Sequence, residues 1–126
     1  MKPAIQNRED VITLIDAFYR KARKDELIGP IFQEVIGSNW DRHMPIMYDF
    51  WEGILFHTDQ YAGNPMQVHQ QLNRRIPLQA AHFDRWKQLF LDTTRELFEG
   101  PKAELAMQRA VSIATMMQIK LATGGQ

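Results

Sequence analysis

The residues able to do chemistry in this 126-residue chain are few, because it contains no cysteine. That single absence removes disulfides, thiolate metal sites, iron–sulfur clusters and thiol nucleophiles. Four histidines remain as candidate soft ligands: His43, His57, His69 and His82. Successive histidines are 14, 12 and 13 residues apart, so no two share a helical turn and nothing resembles His-Glu-x-x-His; zinc finds no support. Neither a Gly-x-Ser-x-Gly elbow nor a phosphate-binding glycine loop is present. His69 lies in Asn64-Pro65-Met66-Gln67-Val68-His69-Gln70-Gln71-Leu72, where helical spacing turns its imidazole to the side of Met66 and Leu72. His43 lies one turn before Met47 and two before Phe50, again on an apolar face. Each is either a hydrogen-bonded core histidine or a ligand. Two inward imidazoles on separate helices, among methionines and aromatics, could flank a flat apolar cofactor, and iron porphyrin is the usual one held by a single neutral imidazole. The same methionine and aromatic stripes equally serve ordinary packing. His82 precedes Trp86 by one turn and could face a cofactor edge, a propionate or solvent, while His57 suits a dipole contact at a helix end.

These side chains need elements to hold them, and the chain reads as helical almost throughout. After Asn7, a good N-cap, the residues Val11, Leu14, Ile15, Phe18, Tyr19 and Ala22 recur at three- and four-residue steps, which predicts an amphipathic helix of about four turns. Its basic tail, Arg20, Lys21, Arg23 and Lys24, complements the negative end of the helix dipole. Gly29-Pro30 opens what reads as a short turn carrying Ile31 and Phe32. A second long helix is expected after Ser38-Asn39, with Trp40, His43, Met44, Met47, Phe50, Trp51, Ile54 and Leu55 on one broad face and an end near His57. Asn64-Pro65 predicts a shorter helix from Met66 to about Asn73. Another opens around Pro77, carries Phe83, Trp86, Leu89, Phe90, Thr93 and Leu97, and stops at Gly100-Pro101; a last helix follows through Leu105, Ala106, Arg109, Ala110, Ile113, Ala114, Met117 and Leu121, fraying at Gly124-Gly125. Repeats, linkers and strand-like alternation are absent, so the expectation is one all-α domain spanning residues 1–126.

Charge and hydropathy narrow the partners. Fifteen basic and fifteen acidic residues give a formal charge of zero and a pI of about 6.9, which leaves no basic field for nucleic acid or an anionic membrane surface. No stretch reaches the ~18 apolar residues of a membrane span, and the polar start through Arg8 lacks the apolar run of a signal peptide. A cytoplasmic protein is expected.

Taken in order, Phe18-Tyr19, Gly29-Pro30-Ile31-Phe32, Phe50-Trp51-Glu52-Gly53-Ile54-Leu55, Tyr61-x-Gly63-x-Pro65, His69-x-x-Leu72, His82-Phe83-x-Arg85-Trp86-x-x-Leu89-Phe90 and Arg109-Ala110-x-x-Ile113-Ala114 resemble a truncated hemoglobin of the third group. The glycine pairs usual in the other groups are missing from the corresponding corners, in agreement. The resemblance implies a globin-like, two-over-two helical sandwich around heme b. Carried over by position, it makes His69 the proximal iron ligand, with Leu72 one turn on, Phe32 the pocket-wall phenylalanine, and Tyr19 and Trp86 the distal donors. His43 falls on the distal-helix histidine of some members, with Met47 over the heme face. Arg74, Arg75 and His82 fall where they either pair with heme propionates or carry solvated surface charge. Pro45 departs from the pattern, and predicts that the helix starts late or kinks beside His43, letting His43 swing as a gate.

The implied ligands are O2, NO and CO. A tyrosine hydroxyl and an indole N–H in a dry pocket would stabilise a polarised diatomic ligand by roughly 1–3 kcal/mol each. Slow O2 release then favours O2/NO redox chemistry or detoxification, such as nitric oxide dioxygenation or peroxidase-like activity, over O2 transport, and repeated turnover needs a reductase. The alternative is a heme-free helical interaction or small-ligand module in which Trp86, Tyr19 and His69 simply pack.

Overall fold

A computed structural model describes residues 2–56 and 78–124, with side chains as far as residue 119. Helix α1 spans Arg8–Lys24. Asn7 is extended at its N-cap and its side chain accepts from the Asp10 N–H at 3.1 Å, which satisfies one donor of the first turn, while the Asp10 carboxylate accepts from the Gln6 N–H just before the helix at 2.8 Å. The expected stripe from Val11 to Ala22 is the buried face.

The expected turn at Gly29-Pro30 is instead a two-turn helix, α2, spanning Gly29–Val35. Asp25 builds its entrance. Its carboxylate accepts from the Leu27 and Ile28 N–H groups at 3.0 Å each, and its carbonyl accepts from the Gly29 N–H at 3.0 Å. Gly29 is required by proximity rather than by dihedral angle, since a Cβ there would lie 2.7 Å from the Arg23 carbonyl oxygen. Seven residues are too few for a period to be visible, which is why the helix hid behind its glycine and proline.

Helix α3 spans Trp40–Phe56 and contains Pro45. The late start expected beside His43 does not occur: Arg42 and His43 already donate to the Asn39 carbonyl at 3.1 and 3.0 Å. Proline costs the helix one donor, the one that would have served Asp41 a turn earlier, and that site lies within the helix's first two turns.

Helix α4 spans Ala80–Leu97, three residues later than Pro77 implied, and α5 spans Pro101–Gly124. Gly100 separates them at φ 104°, a left-handed conformation that a side chain disfavours. Packing joins α1 with α2, α3 and α4, α4 with α5, and α3 with α5. This is an all-α, two-over-two globin-like arrangement in which the α1/α3 pair faces the α4/α5 pair.

The core follows from that geometry. Trp51 stacks on Phe90 at 4.5 Å and 20°, Phe90 meets Phe18 edge-on at 5.3 Å, and Trp86 lies nearly parallel to Phe90 at 5.9 Å. Fully buried Ala103, Ala106 and Ala110 on α5 let its backbone approach the other helices closely. Buried Thr93 and Thr94 return their hydroxyls to the Leu89 and Phe90 carbonyls at 2.7 and 2.8 Å, so neither leaves an unmet polar group. Arg8 ties α1 to α3 by reaching Asp49 at 2.8 Å and Glu52 at 2.7 Å. Lys21 reaches Glu96 on α4 at 2.7 Å.

Candidate functional site

Tyr19 emerges from the last turns of α1 into an enclosure made by three helices. Phe32 from α2 and Trp40 from α3 each stand edge-on to its ring at 5.6 Å, and His43, one turn along α3, does so at 5.3 Å. Trp40 and His43 are themselves perpendicular at 5.6 Å. The Tyr19 hydroxyl and His43 Nε2 are 3.2 Å apart. Tyr19 is 8% exposed, and burial pushes its phenol well above its ordinary value, because the phenolate would lose its hydration. The hydroxyl therefore keeps its proton throughout the physiological range. That proton has two possible destinations. With His43 unprotonated at Nε2, the tyrosine donates to it; with the tautomer reversed, His43 Nε2–H donates to the phenol oxygen and the tyrosine proton is free for a third group.

Beside this polar pair lies an apolar wall. Ile28, Ile31 and Phe32 from the α2 region, Phe83, His82 and Trp86 from α4, Leu78 and Met117 of α5 line a cavity of about 50 Å³. Phe32 belongs to both surfaces. Trp86 is held edge-on to Phe18 at 5.9 Å and against Phe90. His82 Nδ1 accepts from the Gln79 N–H at 2.9 Å, so the neutral ring carries its proton on Nε2, available as a donor.

Of the residues singled out in the sequence, Tyr19, His43 and Phe32 are brought together, and Phe32, His82 and Trp86 share the apolar wall. Met47 packs half-buried against the main core and lines neither surface. His69, Leu72, Arg74, Arg75 and His57, with the predicted Met66–Asn73 helix, lie outside the described residues. Trp40 is the residue that sequence reasoning passed over. It was grouped with a broad apolar face, yet its indole is packed against Tyr19, Phe32 and His43, the Arg23 guanidinium sits 4.3 Å over its ring, and its buried Nε1–H has no hydrogen-bond partner among the described residues. The available signal was its place three residues before His43, on the same helical face.

Comparison with known proteins decides the family. The chain is 32% identical over 121 residues, 94% of its length and 93% of the relative's, to ctb, a group 3 truncated hemoglobin of Campylobacter jejuni. It also matches the crystal structure of the group III truncated hemoglobin from Campylobacter jejuni with a TM-score of 0.87, covering 100% of this chain and 99% of that one. The chain belongs to the group III truncated hemoglobins. No family model matches it.

A truncated hemoglobin is a heme globin that binds small gases, and the described residues fit such a group. The lining of the smaller cavity is aliphatic and aromatic apart from His82, as a macrocycle's faces require, with one imidazole N–H suited to a carboxylate. The buried indole N–H of Trp40, without a hydrogen-bond partner among the described residues, is a further polar group facing this enclosure. Among the described residues of this truncated hemoglobin, no three His, Asp or Glu side chains gather as a metal site, and no helix is long and apolar enough to cross a membrane.

Proposed function

We propose that this truncated hemoglobin holds heme b through His69 and uses Tyr19 and Trp86 to retain a diatomic ligand for O2/NO redox chemistry or detoxification rather than for O2 delivery. The observation that carries the reading is the buried Tyr19 hydroxyl, 3.2 Å from His43 Nε2 and sharing Phe32 with the apolar wall. When bound, heme supplies an iron with a coordination position for O2, NO or CO and the ability to change oxidation state.

The chain's own residues divide the remaining work. His69 contributes one neutral imidazole nitrogen, and whatever accepts from its other nitrogen tunes the electron density it donates. Phe32, Leu72, Phe83 and Met117 would provide apolar contact, while His82 Nε2–H and Arg75 would meet the carboxylates of the group. Tyr19 presents an un-ionised O–H, and His43 decides by its tautomer whether that proton is engaged. Trp86 presents a second donor, braced by Phe18 and Phe90. Each charge-assisted bond to a polarised ligand contributes roughly 1–3 kcal/mol, so two together hold a ligand too long for delivery. Repeated turnover would require an electron donor such as a reductase.

Titrating the purified chain with hemin tests the foundation: one equivalent produces a Soret band, and His69→Ala weakens or shifts it. Absence of stoichiometric uptake by the parent chain would leave only a heme-free helical module. Mixing the loaded protein, equilibrated with O2, against NO tests the chemistry, with stoichiometric nitrate as the expected product.

A further inference from the structure

The basic tail of α1 does more than offset a helix dipole. Arg20, Arg23 and Lys24, spaced three and four residues apart on one face, line a surface cleft of about 290 Å³ together with Gly29, Gln33 and Trp40. Among the described residues no carboxylate lines the cleft itself; Asp16 and Asp41 line the larger opening that adjoins it. The neighbouring Lys21 is turned away and paired with Glu96, whereas no ion pair links the three cleft cations to an acid among the described residues. Like charges at this helical spacing repel one another, and a protein gathers them at a cost unless something negative shares the space.

The cleft is also built rather than merely charged. The Arg23 guanidinium is laid over the Trp40 ring at 4.3 Å, which fixes the direction of its donors before any ligand arrives. Gly29 adds no side chain to the lining, and its close seat against the Arg23 carbonyl holds the α1–α2 junction in place. Gln33 adds an amide donor. A larger opening of about 500 Å³ shares Arg20, Arg23 and Trp40 with this cleft and reaches Tyr19, so an occupant would sit one indole ring away from the distal tyrosine.

We propose that this cleft binds a small inorganic oxyanion, with Arg20, Arg23 and Lys24 supplying charge and Arg23, braced by Trp40, supplying oriented hydrogen bonds. The cleft and its charges are independent of what happens at the heme. A planar, singly charged anion such as nitrate matches the donors of one guanidinium and one amide, and the open, solvated setting sets an affinity in the millimolar range.

Nitrate is the probe. Heme-loaded protein is kept under carbon monoxide, so that nitrate has no access to the iron, and is titrated at constant ionic strength. Binding is followed by calorimetry and by the indole N–H resonances of the three tryptophans. The expected result is a saturable isotherm in which Trp40 shifts and Trp51, enclosed in the core at 3% exposure, does not. Arg23→Gln or Arg20→Gln should weaken binding about fivefold or more, and Lys21→Gln by less than about twofold. Circular dichroism of each variant controls for folding. A linear response without saturation, or equal weakening by Lys21→Gln, would show that the cations serve only the helix dipole and would overturn the proposal. Failure of hemin uptake leaves this test intact, because the heme-free full chain can be titrated by the same two readouts.

Discussion

Replacing Tyr19 by phenylalanine removes one oxygen and leaves the ring that packs against Phe18, Phe32, Trp40 and His43. The variant therefore isolates the donor. A charge-assisted hydrogen bond to a bound diatomic ligand contributes roughly 1–3 kcal/mol. Part of that is already spent in the resting pair, since the hydroxyl is 3.2 Å from His43 Nε2 and gives up or reverses that bond when a ligand takes its proton. The net loss on substitution is then roughly 1–2 kcal/mol, which corresponds to O2 dissociation faster by about 5- to 30-fold. Stopped-flow displacement of O2 by excess CO measures it directly. Trp86→Phe, which keeps the ring beside Phe90 and deletes the other N–H, should act in the same direction. Tyr19 lies on α1 and Trp86 on α4, so if the two donors act independently their effects should add in the double variant. Rates within about a factor of two of the parent in both single variants would refute the reasoning, because no rearrangement of His43 could then hide the loss of both donors.

Three further outcomes follow from the geometry. His43→Ala should raise the ligand association rate if the imidazole stands in the path to the iron, and an unaltered rate and ferric spectrum would exclude both a gate and a ligand. Gly29→Ala places a methyl group 2.7 Å from the Arg23 carbonyl oxygen, so the α1–α2 junction must move; urea unfolding should show a loss of about 1–3 kcal/mol, and an unchanged midpoint would contradict the described contact. Tyr19 is raised above its ordinary value by burial, and Tyr48 is pushed up to about 12 by partial burial and its bond to the Asp16 carboxylate. An acid with a raised folded-state pKa binds its proton more tightly when folded, so its contribution is complete below pH ~10 and is lost as pH climbs through the raised values. Stability should hold between pH 7 and 9 and then fall above about 10, less steeply in Tyr19→Phe; an equal fall in that variant would contradict the assignment.

Much of the scaffold was legible because helical burial is written locally. In α1 the apolar steps from Val11 to Ala22 and the Asn7 cap specify both the helix and its inward face, and Tyr19 inherits its burial from that stripe. Helix α2 was not legible, because what stabilises it is the Asp25 carboxylate and the seat of Gly29 on the preceding helix, neither of which leaves a period. The late start expected from Pro45 does not occur for an energetic reason: one missing donor near a helix start is a smaller defect than the loss of the Trp40 and His43 packing that a late start would bring. Trp40 was hidden in a different way. An indole that contacts side chains of two other helices looks, along the chain, like any other apolar residue, and its meaning appears only when α1, α2 and α3 converge.

Phe32 is carried by the shortest of the described helices and presents one ring to two surfaces, touching Tyr19 and lining the apolar wall. On the proposed function, retention of a gaseous ligand and the grip on the macrocycle would thus share a single adjustable part. A change of side chain there, or a shift of α2 on its Asp25 and Gly29 anchorage, alters both properties together. Engineering ligand retention independently would have to begin on α3, with Trp40, which borders Tyr19 but does not line the apolar wall.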